Sequence, residues 1–177
     1  MATMQLDDFN ALDPAAAART VGVWAAIPGW VDAVVAARPY ASVDALAAYA
    51  GELASVWSPA DLEAAIAHHP RIGAKVTGAS AEADASRSEQ ASMAAAADDV
   101  TAAIAAGNRA YEERFGRVFL IRAAGRTPTE MLAELHRRLE NDDATEAREA
   151  TAQLAEIALL RLRTTIDAAE AEPEEAE

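Results

Sequence analysis

Cysteine is absent from this chain of 177 residues. Thiolate nucleophiles, disulfides, cysteine-ligated zinc and iron–sulfur clusters are therefore excluded as sources of stability or chemistry. Basic residues are scarce: 15 Lys and Arg stand against 29 Asp and Glu, for a formal net charge of −14. Gripping a nucleic-acid backbone needs a positive footprint, so that class of partner is set aside. Uncharged apolar runs long enough to cross a bilayer, about 18 residues, are missing. The opening MATMQLDD also lacks the basic and apolar regions of a signal peptide. The expectation is a cytoplasmic protein with no membrane partner. No Gly-x-Gly-x-x-Gly, Walker or Gly-x-Ser-x-Gly pattern occurs, so nothing asks for a nucleotide, a flavin or a serine nucleophile.

What the chain holds in quantity is alanine. Hydrophobic types reach 52%, yet alanine favours helix while contributing little apolar area. The scarce large side chains should mark where helices meet. Helical periodicity dominates, and an all-α, single-domain bundle of about seven to eight helices is predicted. Asp13-Pro14 reads as the cap and first residue of an early helix, and Gly29 and Arg38-Pro39-Tyr40 interrupt the next apolar stretch. Ser42 caps a helix carrying Leu46, Tyr49 and Leu53. Ser58-Pro59-Ala60-Asp61 opens a shorter one, with Asp61 in the position of a capping-box acid. Residues 71–85, with Gly73, Gly78 and several small side chains, read as a loop. A long helix is predicted from about 88 to 114 and stopped by Gly116. Val118-Phe119-Leu120-Ile121 is a short extended piece. Thr127-Pro128-Thr129-Glu130 starts another helix through Leu132, Leu135 and Leu139, and a final one spans roughly 144–168. The acidic stretch 167–177 reads as a frayed, solvated tail.

Candidate chemistry gathers at three places. His68-His69-Pro70-Arg71-Ile72-Gly73 holds two of the three histidines, where Pro70 must end a helix. Leu62, Ile66 and His69 share a face, so His69 is either a half-buried histidine satisfied at the helix end or a general acid/base beside a pocket. His68 points elsewhere and reads as solvated. Adjacent histidines make a poor metal pair on a helix, and no further ligand stands nearby, so no metal is expected. Ser86-Arg87-Ser88-Glu89 reads as a capping box. That helix start would also offer free N–H groups to an anion and hold Glu89 and Gln90 rigidly, as acid/base and amide clamp. Finally, Leu154, Ile157 and Arg161 are three and four apart, which puts Arg161 on an inward face. There it needs a carboxylate or a bound anion, unless the face is solvated and the charge ordinary.

Several of these pieces, in order, resemble the 2-oxo-4-hydroxy-4-carboxy-5-ureidoimidazoline (OHCU) decarboxylase family of urate degradation. The run is His69-Pro70-Arg71-Ile72-Gly73, Ser86-x-x-Glu89-Gln90, Asn108-x-x-Tyr111-x-x-Arg114-Phe115-Gly116-x-x-Phe119, Gly125-Arg126, Arg138-Leu139-x-Asn141-Asp142 and Glu156-Ile157-x-x-Leu160-Arg161-Leu162. Trp30 and Arg38-Pro39-Tyr40 look like the family's opening, and the likeness covers residues 5–166. The resemblance implies an all-helical, cofactor-free homodimer that converts the ureidoimidazoline to (S)-allantoin and carbon dioxide. It implies His69 and Glu89 as catalytic residues. Pro70, Ser86, Gln90, Phe119, Leu120, Ile121 and Arg161 are implied to contact substrate, those of 119–121 through the main chain. Tyr40 stands where the family usually has phenylalanine, and Arg126 where lysine is as common. A hydrolase or isomerase acting on a neighbouring ureide, and a non-catalytic helical interaction module, are the alternatives.

Overall fold

A computed structural model describes residues 3–66, 71–73, 80–91, 93 and 96–167. Among them nine helices follow one another. They are α1 (Leu6–Ala11), α2 (Pro14–Trp24), α3 (Pro28–Ala36), α4 (Val43–Ala54), α5 (Pro59–Ile66), α6 (Ala81–Glu89), α7 (Asp98–Phe115), α8 (Pro128–Leu139) and α9 (Asp143–Thr165). Two short strands, β1 (Met4–Gln5) and β2 (Ile166–Asp167), pair in parallel with Met4 opposite Ile166. The all-α class is as predicted. Among the described residues no helix is long and apolar enough to cross a membrane.

Most helix starts follow local chemistry. Asp13 accepts the N–H of Ala16 at 2.9 Å, and Ser42 accepts that of Ala45 at 3.0 Å. Ser58 and Asp61 exchange bonds, the Ser58 N–H donating to Asp61 at 2.8 Å. Thr127 and Glu130 form a complete capping box, and Asp142 caps α9. Gly116, at φ +68°, adopts the left-handed conformation that ends α7.

Two stretches depart from the sequence reading. Gly29 lies inside α3, which begins at Pro28; the chain breaks earlier, at 25–27. More consequentially, α6 occupies part of the predicted loop, and α7 begins at Asp98. Ser80 caps α6 by accepting the N–H of Ala83 at 3.2 Å. Ala81, Glu82, Ala83 and Ala85 are strong helix formers, and counting alanine merely as a small loop residue concealed this turn of helix. The predicted helix end at His69-Pro70 and the tail from Ala168 onward lie outside the described residues, while Asp167 belongs to β2.

Two hydrophobic clusters share the interior. One gathers Phe9, Trp24, Trp30, Leu46, Leu62, Leu154 and Leu162 from α1 to α5 and α9. The other packs Ile104, Tyr111, Met131 and Leu135 between α7 and α8. The extended piece at 119–121 runs between them. Leu120 enters the first cluster, Phe119 and Ile121 the second, as alternation along an extended chain requires.

Candidate active site

The inward stripe of α9 reads Glu146, Ala150, Leu154, Ile157, Arg161, all buried. Arg161 is only 3% exposed, so its charge must be answered inside the protein. Glu89 answers it as a fork: Nε donates to Oε1 at 2.7 Å and Nη2 to Oε2 at 3.0 Å. Nη2 also donates to the Ser86 hydroxyl at 3.3 Å, and Nη1 to the Val23 carbonyl at 3.0 Å. Three positions apart on α6, Ser86 and Glu89 face the same way, toward α9. Ser86 is buried, whereas the Glu89 side chain keeps 16% of its surface. The Glu89 side chain is thus not sealed from solvent.

The predicted capping box at Ser86 and Glu89 is corrected by α6, whose cap is Ser80. Both residues lie near the C-terminal end of the helix, so the free N–H groups expected there are spent within it. What that end presents is carbonyl groups, and a cation such as Arg161 suits them. The geometry that the sequence reading sought from a helix start is supplied by an ion pair instead.

Gln90 turns toward the histidine-containing motif. Its Oε1 accepts the N–H of Gly73 at 3.0 Å, and the buried Asn108 donates to the carbonyl of Ile72 at 2.9 Å. Arg71 pairs with Glu112, Nη2 to Oε2 at 2.7 Å, and holds that carboxyl below its ordinary range. Every described residue of the motif is thus gripped from α7 or the end of α6. Gly73 itself sits at φ +76°, where a side chain would be strained. His68, His69 and Pro70 lie outside the described residues.

Phe119, Leu120 and Ile121 are buried, and their placement depends on a network that the sequence reading did not identify. Arg138, 1% exposed, pairs with Glu146, 0% exposed, with Nε to Oε1 at 2.9 Å. Arg138 Nη1 donates to the Leu120 carbonyl at 2.7 Å. Glu146 also accepts the Tyr111 hydroxyl and the side-chain amide of Asn141. Burial and that hydrogen bond push the Tyr111 hydroxyl well above its ordinary range. The signal was available: Glu146 falls on the stripe that identified Arg161, at steps of four, four, three and four.

A separate groove of about 750 Å³ runs between the end of α4 and the outer side of α9, lined by Gly51, Trp57, Ala147, Thr151, Ala155 and Leu159. None of the expected site residues that the structure describes lines it.

Helices from both ends and the middle of the chain thus converge on one charge-paired centre whose glutamate side chain is partly exposed, a frame suited to a small-molecule enzyme. The chain belongs to the OHCU decarboxylase family, carboxy-lyases of urate degradation, whose model matches residues 10–163. Its fold is shared with a crystal structure of OHCU decarboxylase in the presence of (S)-allantoin. That likeness has a TM-score of 0.67 at 24% identity, covering 80% of this chain and 93% of that one. A crystal structure of (S)-allantoin synthase is similar at TM-score 0.66 and 19% identity, covering 93% of this chain and 55% of that one. Comparison with curated proteins gives no match.

Proposed function

We propose that this protein decarboxylates 2-oxo-4-hydroxy-4-carboxy-5-ureidoimidazoline to (S)-allantoin, with His69 and Glu89 as the catalytic pair. The substrate supplies its own electron sink. When the bond from C4 to the carboxylate breaks, its electron pair forms a C4–C5 double bond, the C5=N π pair moves onto the ring nitrogen, and that nitrogen takes a proton from solvent. The resulting enol loses its hydroxyl proton and gains one at C5, which sets the stereocentre. What the protein must supply is proton placement and a fixed face of the ring. In this reading His69 takes the hydroxyl proton, and Glu89 orients the ring and helps return a proton to C5.

The observation that carries the reading is the convergence of Ser86, Glu89 and Arg161, 75 and 72 positions apart in the chain. The family resemblance selects these residues as substrate contacts. Arg161 spends four N–H groups on Glu89, Ser86 and Val23. Its service to substrate therefore runs chiefly through the Glu89 carboxylate it holds. Pro70, Gln90 and the main chain of Phe119, Leu120 and Ile121 complete the proposed pocket. The same resemblance leads us to propose a cytoplasmic homodimer, which light scattering of the purified protein tests.

The direct test is His69→Asn. With the ureidoimidazoline generated in place and followed by circular dichroism, the variant should lose about a hundredfold or more in turnover, the lower bound of the range for general acid–base catalysis. Its melting curve should match that of the parent. Near-parental release of (S)-allantoin by the folded variant would overturn the assignment.

A further inference from the structure

We propose that Arg138 is a positioning residue for this reaction, fixing the Leu120 carbonyl so that the Ile121 N–H is aimed at an acceptor oxygen of the substrate. The inference rests on the reading above that the main chain at 119–121 meets substrate.

The geometry begins with the peptide plane. A trans peptide holds its C=O and the following N–H antiparallel. The 2.7 Å bond from Arg138 to the Leu120 carbonyl therefore also fixes the direction of the Ile121 N–H, away from Arg138. A charged donor on the carbonyl polarises the peptide, which makes that N–H a stronger donor. Arg138 touches the segment a second time, its guanidinium lying 4.8 Å from the centroid of the Phe119 ring. Beyond the segment, the Arg122 N–H is anchored on Gln153 of α9 at 2.9 Å. Among the described residues, no protein acceptor takes the N–H of Phe119, Leu120 or Ile121. Buried main-chain donors are rarely left so, and an acceptor-rich substrate suits them.

Stability alone is a weak reason for this construction. A buried ion pair generally does no better than apolar side chains of the same volume. Yet Glu146 is held by Arg138, Tyr111 and Asn141 together, so the guanidinium has little freedom to swing away from Leu120. The arrangement fixes a direction, and a direction is what a hydrogen bond to a reacting molecule requires.

Two variants test the proposal, assayed beside the parent protein on ureidoimidazoline generated in place. Arg138→Lys keeps a positive charge against Glu146 but loses the planar fork that spans both partners. The double variant Arg138→Met with Glu146→Leu removes both charges and leaves neither alone. Each should raise KM about tenfold or more and lower the fraction of (S)-allantoin in the product, with the lysine variant less affected. A purely structural role would reduce the active fraction and leave KM and enantiomeric purity at parental values. That result in either folded variant overturns the proposal. If the double variant does not fold, Arg138→Lys decides alone. A parent that fails to consume the ureidoimidazoline would overturn the proposed function, an outcome distinct from an active parent with indifferent variants.

Discussion

Arg161 shows how much one side chain can reveal. Its position on an inward face follows from its spacing with Leu154 and Ile157, and a charge there demands a partner. That the partner is Glu89 was not legible, because the two are 72 positions apart and only tertiary packing joins them. Glu146 was legible by the same periodicity, yet one of three glutamates in an alanine-rich helix reads as solvated. The pairing gives a prediction. Glu89→Gln leaves the Arg161 guanidinium buried without its counter-charge, and should cost about 3 kcal/mol or more. Turnover should fall as well. Urea unfolding and a turnover assay on one preparation check this; unchanged stability would mean that Arg161 finds its compensation elsewhere.

Among the helices, those with a polar cap and a proline were read correctly, because cap and ring act locally. Ser58-Pro59 and Thr127-Pro128 carry their own start signals. The helix α6 has a serine cap, Ser80, but no proline behind it; its first turn is alanine and acid, and alanine serves loops and helices alike until packing decides. That miss moved Ser86 and Glu89 from the start of a helix to its end. The crossing of α7 and α8 depends on a residue whose role also needs the structure. A Cβ on Gly107 would sit 2.5 Å from Leu135 Cδ2, inside any permissible contact. Gly107→Ala, which would stabilise an isolated helix, should here cost about 1–3 kcal/mol through overpacking. Thermal unfolding measures it, and a raised melting temperature would show that Leu135 yields freely.

For the molecule as a whole, ionisation sets the window of stability. Arg71 holds the Glu112 carboxyl below its ordinary 4.5, and Arg137 does the same for Glu134 and Glu149. Groups lowered in this way contribute fully above their unfolded value and lose that contribution as pH falls through the folded one. Burial pushes the Tyr40 hydroxyl from 10.0 up to about 12, so its contribution is complete below pH 10 and fades as pH rises through 12. Melting temperature should therefore be flat between about pH 5 and 10 and fall on either side; a midpoint that kept rising below pH 4 would contradict the assignment. The all-α class was legible from composition and periodicity, but the two clusters and the segment between them were not, since they arise from pairings distant in sequence. Arg161 binds Val23, Ser86 and Glu89 across 138, 75 and 72 positions. Contacts of such reach form only after long loops have closed. During synthesis, therefore, this site cannot form before α9 emerges: the charge that completes it arrives with that helix, and docking of α9 and competence for chemistry become one event.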